Sequence, residues 1–329
     1  MRPAFAPLLS CLLVLLAALA LPARATVIEV RIDDPQGRAS FDGRVVVAVS
    51  RSEDFVVSSV TDSSQLFGVS VDGAANGDAV VVDATALGYP HRSLAEVPAG
   101  EYWVKAWLNV YTTFERADGH VVKLPMDRGE GQDWHRKPGN LVSAPAQVRL
   151  DPDDDGRVRI ALDEVLPEIE PPPETDWVKN FEITSEKVSE FWGREMRIGA
   201  RVLLPRGWAL DRDRRYPVVI QHGHFSTRPP GGFMTPDEVR DPEHMTSREQ
   251  TGTALYEAWT SDDFPRFLLV TIQHPTPYYD DSYAVNSANM GPYGDAIVHE
   301  LLPALEERFR GIGEPWARIL TGGSTGGWE

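Results

Sequence analysis

The chain has 329 residues, 42% hydrophobic and 25% charged, with 32 basic against 49 acidic side chains and a formal net charge of −17. That composition belongs to a globular protein with room for two domains. The acidic excess argues against a nucleic-acid partner and against adhesion to anionic membrane, since both need basic surface.

The N-terminus has the grammar of a cleaved export signal over residues 1–25: Arg2, an apolar run from Leu8 to Leu21, and Ala23-Arg24-Ala25 as the small-residue cleavage site. The run is short for a membrane span. The mature chain is therefore expected to be exported, periplasmic or secreted, with no integral membrane segment. The one cysteine, Cys11, lies inside the signal and ahead of most of its apolar core, which excludes a lipoprotein anchor. A mature chain without cysteine has neither disulfide nor thiol nucleophile.

Residues 26–164 are short β-rich runs broken by turn residues: Val27 to Ile32, Arg44 to Val49, Leu66 to Val71, Ala79 to Val82, Glu101 to Tyr111, Ala146 to Leu150 and Val158 to Leu162. The cluster Asp72 to Gly77 is expected to separate two of them. Several strands at this spacing, without a convincing amphipathic helix, predict a β-sandwich of immunoglobulin-like type. Alternation in Glu101 to Tyr111 places Trp103 and Trp107 on one face, where they stack on a sugar or, the preferred reading, pack against a loop or a second domain. Asp151-Pro152-Asp153-Asp154-Asp155-Gly156 opens like a calcium loop, but the twelfth position is Leu162 rather than glutamate, so an acidic hairpin turn is expected.

Residues 165–176 contain Pro167 and the run Pro171-Pro172-Pro173, which predict an extended, semi-rigid linker. From residue 177 to 329 the pattern changes. Phe181 to Ser185 and Met196 to Leu204 predict a hairpin, and Tyr216 to Gln221 predicts a buried strand running into His222-Gly223-His224-Phe225. A helix is expected after Thr246, which with Glu249 makes a capping box, and Ala254, Leu255, Ala258 and Trp259 share its inner face. Phe267 to Ile272 is the next buried strand. After the loop His274 to Pro292 comes a second helix, with Ile297, Leu301, Leu302, Leu305 and Phe309 at helical spacing and Pro303 kinking or shortening it. Trp316 to Leu320 is expected as a third buried strand. Strand, helix, strand, helix, strand is the order of a parallel α/β sheet.

That last strand enters Gly322-Gly323-Ser324-Thr325-Gly326, which fits G-x-S-x-G, the sharp turn that presents a nucleophilic serine. A serine hydroxyl needs a base to take its proton and preset donors for the developing oxyanion. The backbone N–H of Thr325 is one candidate donor. The N–H of His224, or alternatively of Phe225, is the second, with Gly223 letting the backbone approach a substrate. His222 and Gly223 are candidate cleft residues, and Tyr278, Tyr279, Asp280 and Asp281, on the loop His274 to Pro292, either line the cleft or act as a lid, or else pack in a loop away from substrate. Neither G-x-G-x-x-G nor G-x-x-x-x-G-K-[ST] follows a strand, and nothing in the sequence calls for a metal or cofactor.

Phe191-Trp192-Gly193-Arg194, the strand ending Val202-Leu203-Leu204-Pro205, Tyr216-Pro217-Val218-Val219, His222-Gly223-His224-Phe225, the segment Asn286 to Asp295 and the turn at Ser324 resemble the family of α/β-hydrolases that includes esterase D and enterochelin-esterase-like enzymes. The resemblance covers roughly the second half of the chain. It implies the N-terminal half of an α/β-hydrolase domain, a serine nucleophile at Ser324 and a small-molecule ester as substrate. It also implies the order Ser, then Asp or Glu, then His. Ser324 lies five residues from the last residue, and His222, His224, His274 and His299 all precede it. The expectation is the N-terminal portion of a longer esterase, inactive as it stands, with His299 on a helix surface and His274 in a loop. Two alternatives remain open: the same machinery cleaving an amide, as in a peptidase, and a non-catalytic exported protein that binds a glycan or partner through Trp103 and Trp107.

Overall fold

The computed structural model describes residues 25–55, 57, 64–116, 119–126, 133–224, 226–278 and 281–329. Residues 1–24 of the expected export signal, Phe225, Tyr279 and Asp280 lie outside the described residues. Among the described residues no helix is long and apolar enough to cross a membrane.

The first half is built of strands: β1 Val27–Ile32, β2 Ser40–Ser50, β3 Ser64–Ala75, β4 Ala79–Val82, β5 Leu87–Tyr89, β6 Gly100–Glu115, β7 Val121–Pro125, β8 Leu141–Val142, β9 Ala146–Leu150, β10 Arg157–Leu162 and β11 Glu164–Val165. β1 sits between β10, parallel, and β4, antiparallel. A larger sheet runs β11-β8-β6-β2-β3-β5, with β7 and β9 also paired to β6. Alternation explains the packing: Ile28, Val30 and Ile32 of β1 share one core with Val45, Val47 and Val49 of β2 and Val104, Ala106 and Leu108 of β6.

Two expectations change here, and the preferred packing of Trp107 is met. β3 continues through Asp72 to Ala75, because β2 pairs with it as far as Ser40↔Ala75. The acidic segment at Asp151 is a crossover rather than a hairpin turn: β9 lies on the larger sheet and β10 on the smaller. Trp107 is buried beneath Trp134, with ring centroids 5.8 Å apart, in a small core with Ala48 and Val142.

Residues 166–177 hold no helix or strand. This segment is tied to the second half rather than spanning a gap: the Asn180 side chain donates to the Pro172 carbonyl at 2.8 Å, and the Asn180 N–H donates to the Glu174 carboxylate at 3.0 Å.

The second half comprises β12 Val178–Thr184, α1 Glu186–Trp192, β13 Arg197–Leu203, β14 Val218–His222, α2 Ser247–Thr260, β15 Leu268–Gln273, the short pair β16 Asn286–Ser287 and β17 Gly291–Pro292, α3 Tyr293–Ala296, a π-helical turn Ile297–Leu301, α4 Leu302–Phe309, β18 Arg318–Gly322 and α5 Thr325–Trp328. The sheet order is β12-β13-β15-β14-β18. β12 and β13 pair antiparallel, and β13 is antiparallel to β15. β15, β14 and β18 run parallel. The expected hairpin is interrupted by α1, which Ser185 caps by accepting the Val188 N–H and which Gly193 ends in the left-handed region at φ 62°. Thr246 and Glu249 form the expected capping box of α2, whose buried face carries Trp259 while Ala254 is exposed.

Ile297, Leu301, Leu302, Leu305 and Phe309 are all buried against the sheet, and His299 is exposed. Pro303 does not shorten the helix as expected: α3, the π-helical turn and α4 run on from Tyr293 to Phe309, and the proline, which has no N–H to donate, sits in the first turn of α4 directly after the π-helical turn. The strand at the end differs from expectation. It begins at Arg318, with Trp316 in a 3-10 turn, and it is an exposed edge rather than a buried strand: Ile319 and Leu320 are 53% and 65% exposed. Arg318 anchors it, donating to both oxygens of the buried Glu306 carboxylate on α4 at 2.7 and 2.6 Å.

Candidate active site

β14 and β18 are adjacent and parallel, in register from Val218↔Arg318 to His222↔Gly322. They therefore end side by side, and the two glycine corners that follow them are neighbours in space. After β14 the sheet grows to one side with β15 and to the other with β18. Such a switch point, at the carboxyl ends of parallel strands, is where open α/β sheets bind ligands.

Ser324 holds φ 54° and ψ −119°, a backbone conformation that a residue with a side chain rarely adopts. Strain of this kind costs about 1–3 kcal/mol and persists only where the surroundings impose it. Here they do: the Gly326 N–H donates to the Gly323 carbonyl at 3.0 Å, and the Ser324 carbonyl accepts from Gly327 at 3.1 Å and Trp328 at 3.3 Å. Ser324 itself is exposed. Among the described residues the Thr325 N–H has no acceptor.

The facing bend is clamped from below. Gly223, at φ 149°, donates its N–H to the Glu329 carboxylate at 3.0 Å, and the His222 ring lies 3.3 Å from the same oxygen. The Glu329 side chain is fully buried, and among the described residues its other oxygen has no hydrogen-bond partner. His274, at the end of β15, is also buried. Its Nδ1 sits 2.9 Å from the Ser282 hydroxyl, and its ring makes a hydrogen bond to the Gly223 backbone. Burial pushes the His274 imidazole below its ordinary range, against the opposing pull of the Asp281 and Glu329 carboxylates.

The His224 side chain, considered in the sequence only for its backbone N–H, turns out to be central. Its Nδ1 is 2.7 Å from the buried Asp281 carboxylate, and its Nε2 is 3.3 Å from the Thr325 hydroxyl. Glu329 carries no motif that marks it; Asp281 was expected only as a cleft or lid residue of the loop leaving β15, not as the partner of His224.

His222, Gly223 and His224 line a hollow of about 230 Å³ at the end of β14, together with Gln221, Arg228 and Arg248. Ser324 is not among its lining residues, and it stands at the adjoining corner. A separate hollow of about 500 Å³ lies between the linker and β12–β13, away from this corner. Tyr278 does not line the cleft. It is buried between the two halves, with its ring 4.7 Å from Phe114 and 6.0 Å from Trp192. Phe225 and Tyr279 lie outside the described residues.

Among the described residues, His274, Asp281 and Glu329 bring one ligand atom each within 4.8 Å of one another, the spacing of a metal site. Their atoms are largely committed elsewhere: Asp281 to His224 and to the Tyr283 N–H, His274 to Ser282 and Gly223, and one Glu329 oxygen to Gly223. The group is accordingly a hydrogen-bonded network that stiffens the bend.

The chain matches no protein-family model. It also matches no curated protein. Among solved structures it is similar to a ferulic acid esterase, at 18% identity and a TM-score of 0.32, with 46% of this chain aligned to 50% of that one. A thermostable esterase aligns over 92% of this chain and 72% of that one, at 15% identity and a TM-score of 0.26. The chain thus spans about half the length of the ferulic acid esterase. Both neighbours are esterases.

Proposed function

We propose that this chain is an exported serine hydrolase cleaving a carboxylic ester, with Ser324 as nucleophile. The Thr325 N–H and the His224 N–H, or that of Phe225, would hold the oxyanion. The observation that carries the reading is the strained corner at Ser324, exposed and set beside the Gly223 bend by the β14–β18 pairing. The side chain carried on this strained corner, between a strand and a helix, is exposed to solvent. It fits a hydroxyl raised for attack on a carbonyl carbon, next to amides able to stabilise the resulting alkoxide. On this reading residues 26–164 are an immunoglobulin-like β-sandwich ahead of a linker and an α/β-hydrolase portion, and no cofactor takes part.

The test is labelling of the purified protein with a fluorophosphonate, followed by peptide mapping. The label is expected on Ser324, and Ser324→Ala is expected to remove it and to lower hydrolysis of a short aryl ester by at least about a thousandfold. A folded protein that takes no label, or takes it elsewhere, refutes the reading.

A further inference from the structure

Strand register puts Asn180 and Glu182 of β12, Gly199 and Arg201 of β13 and Gln273 of β15 on one face of the sheet. The linker crosses that face. The hollow of about 500 Å³ between them is walled by Ile169, Pro171 and Pro172 of the linker and by Pro275 just beyond β15, and its size is that of a small-molecule site. Arg201 lines it and is only 5% exposed. Its Nη1 donates to the Thr227 carbonyl. Among the described residues neither Nε, which is buried, nor Nη2 has an acceptor. These two nitrogens form the edge of a guanidinium that grips a carboxylate through parallel hydrogen bonds. Among the described residues no carboxylate pairs with Arg201. Glu174, the acid whose charge reaches it, accepts the Asn180 N–H at 3.0 Å and lies 3.6 Å from Lys179. Burial pulls the guanidinium below the ordinary arginine range, but an arginine keeps its charge in a protein. A buried cation without a partner is costly, and an apolar side chain of similar volume would serve the fold better.

We propose that this hollow is a binding site for a small monocarboxylate with a flat apolar body. The carboxylate meets the Nε–Nη2 edge of Arg201, and the apolar body lies between the linker prolines with Ile169 and the bare backbone of Gly199. A single negative charge suits the site. Glu182 at the mouth is held by Arg197, while Glu170 is exposed, where solvent screens it from one carboxylate but where a second would meet it directly. The site lies apart from the serine corner, and the proposal stands whether or not Ser324 is a nucleophile.

The test is isothermal titration calorimetry of the full chain with 2-naphthoate, with 2-naphthamide as its neutral counterpart and acetate as a carboxylate without the body. The naphthoate is expected to bind at least about tenfold more tightly than either. Arg201→Met keeps an unbranched stem and removes the charge. It is expected to weaken naphthoate binding at least about tenfold while melting at or above the wild-type temperature. A guanidinium kept for the fold alone would give the reverse, a lower melting temperature with unchanged binding. If Arg201→Met does not fold, Ile169→Asp, in a segment without helix or strand, sets a like charge against the carboxylate and is expected to weaken naphthoate binding about tenfold. Arg228→Ala, at the separate hollow beside His224, is expected to leave naphthoate affinity within about twofold of wild type. Wild-type protein that binds no naphthoate, or binds it no better than its amide, overturns the proposal. So does naphthoate affinity that survives the loss of Arg201, or that falls with Arg228 instead.

Discussion

A methyl group at position 326 would stand 2.1 Å from the His222 carbonyl oxygen, and one at position 322 would stand 2.4 Å from the Gly326 backbone. The first turn of α5 thus lies directly on the end of β14, and only glycine lets the two chains come this close. Gly323, between them, has nothing within 4 Å of the corresponding point. The outer glycines of G-x-S-x-G are accordingly steric necessities and the inner one is not. Gly326→Ala is expected to cost about 1–3 kcal/mol by forced displacement of the corner, and to take the labelling of Ser324 with it. Gly323→Ala is expected to stay within about 0.5 kcal/mol of wild type. Thermal unfolding and labelling of both variants check this, and equal losses would refute the steric account. The contribution of Glu329, which accepts the Gly223 N–H from across the sheet, is a long-range contact that no local spacing announces.

At the scale of elements, seven strands of the first half were legible, some from period-two alternation and Arg44 to Val49 from a nearly continuous apolar run, whereas the short strands β5, β7, β8 and β11 were not expected. Ala79–Val82 and Ala146–Leu150 stand where the pattern put them. Helix α1 was missed although its signals are present, Ser185 before it and Gly193 after it, because a seven-residue helix offers too little periodicity to stand out from the two strands beside it. The terminal strand was misjudged for another reason. A run of apolar residues records hydrophobicity, not whether a neighbour covers it, and β18 is the edge of its sheet among the described residues, with Ile319 and Leu320 facing out. Trp107 shows the same ambiguity from the other side. Alternation left a sugar platform open beside the preferred reading of packing against a loop or a second domain, and its burial against Trp134 supports the packing. Trp107→Ala is therefore expected to destabilise the protein by about 3–5 kcal/mol, measured by urea denaturation. Retention of the folded variant on a polysaccharide matrix is expected to equal that of wild type, and lost retention without lost stability would restore the sugar-binding role.

For the whole molecule, groups in both halves set the response to acid. Burial depresses His274 below its ordinary 6.5, and burial likewise depresses His135 in the first half. A histidine kept neutral by the native state binds its proton in the unfolded chain first, so stability falls as pH drops below about 6.5 and keeps falling until the native pKa is passed. Asp34 acts in the same direction at lower pH. Burial opposes its ionisation, but hydrogen bonds from the Arg38 side chain and backbone and from the Gln36 N–H prevail and hold its carboxyl below 3.8. Its contribution is complete above the unfolded value and is lost as pH falls through the native one. The acid limb should therefore have two parts, an imidazole step beginning near neutrality and a carboxylate step below pH 4. Urea unfolding as a function of pH, followed by tryptophan fluorescence, is expected to show both in the wild type. Joint replacement of His135 and His274 by glutamine should flatten the first part alone, and Asp34→Asn the second alone. Each variant is read by its slope against pH and not by its absolute stability, because lost packing shifts the curve without tilting it. An unchanged slope between pH 6.5 and 5 in the double histidine variant would place the acid sensitivity in other groups.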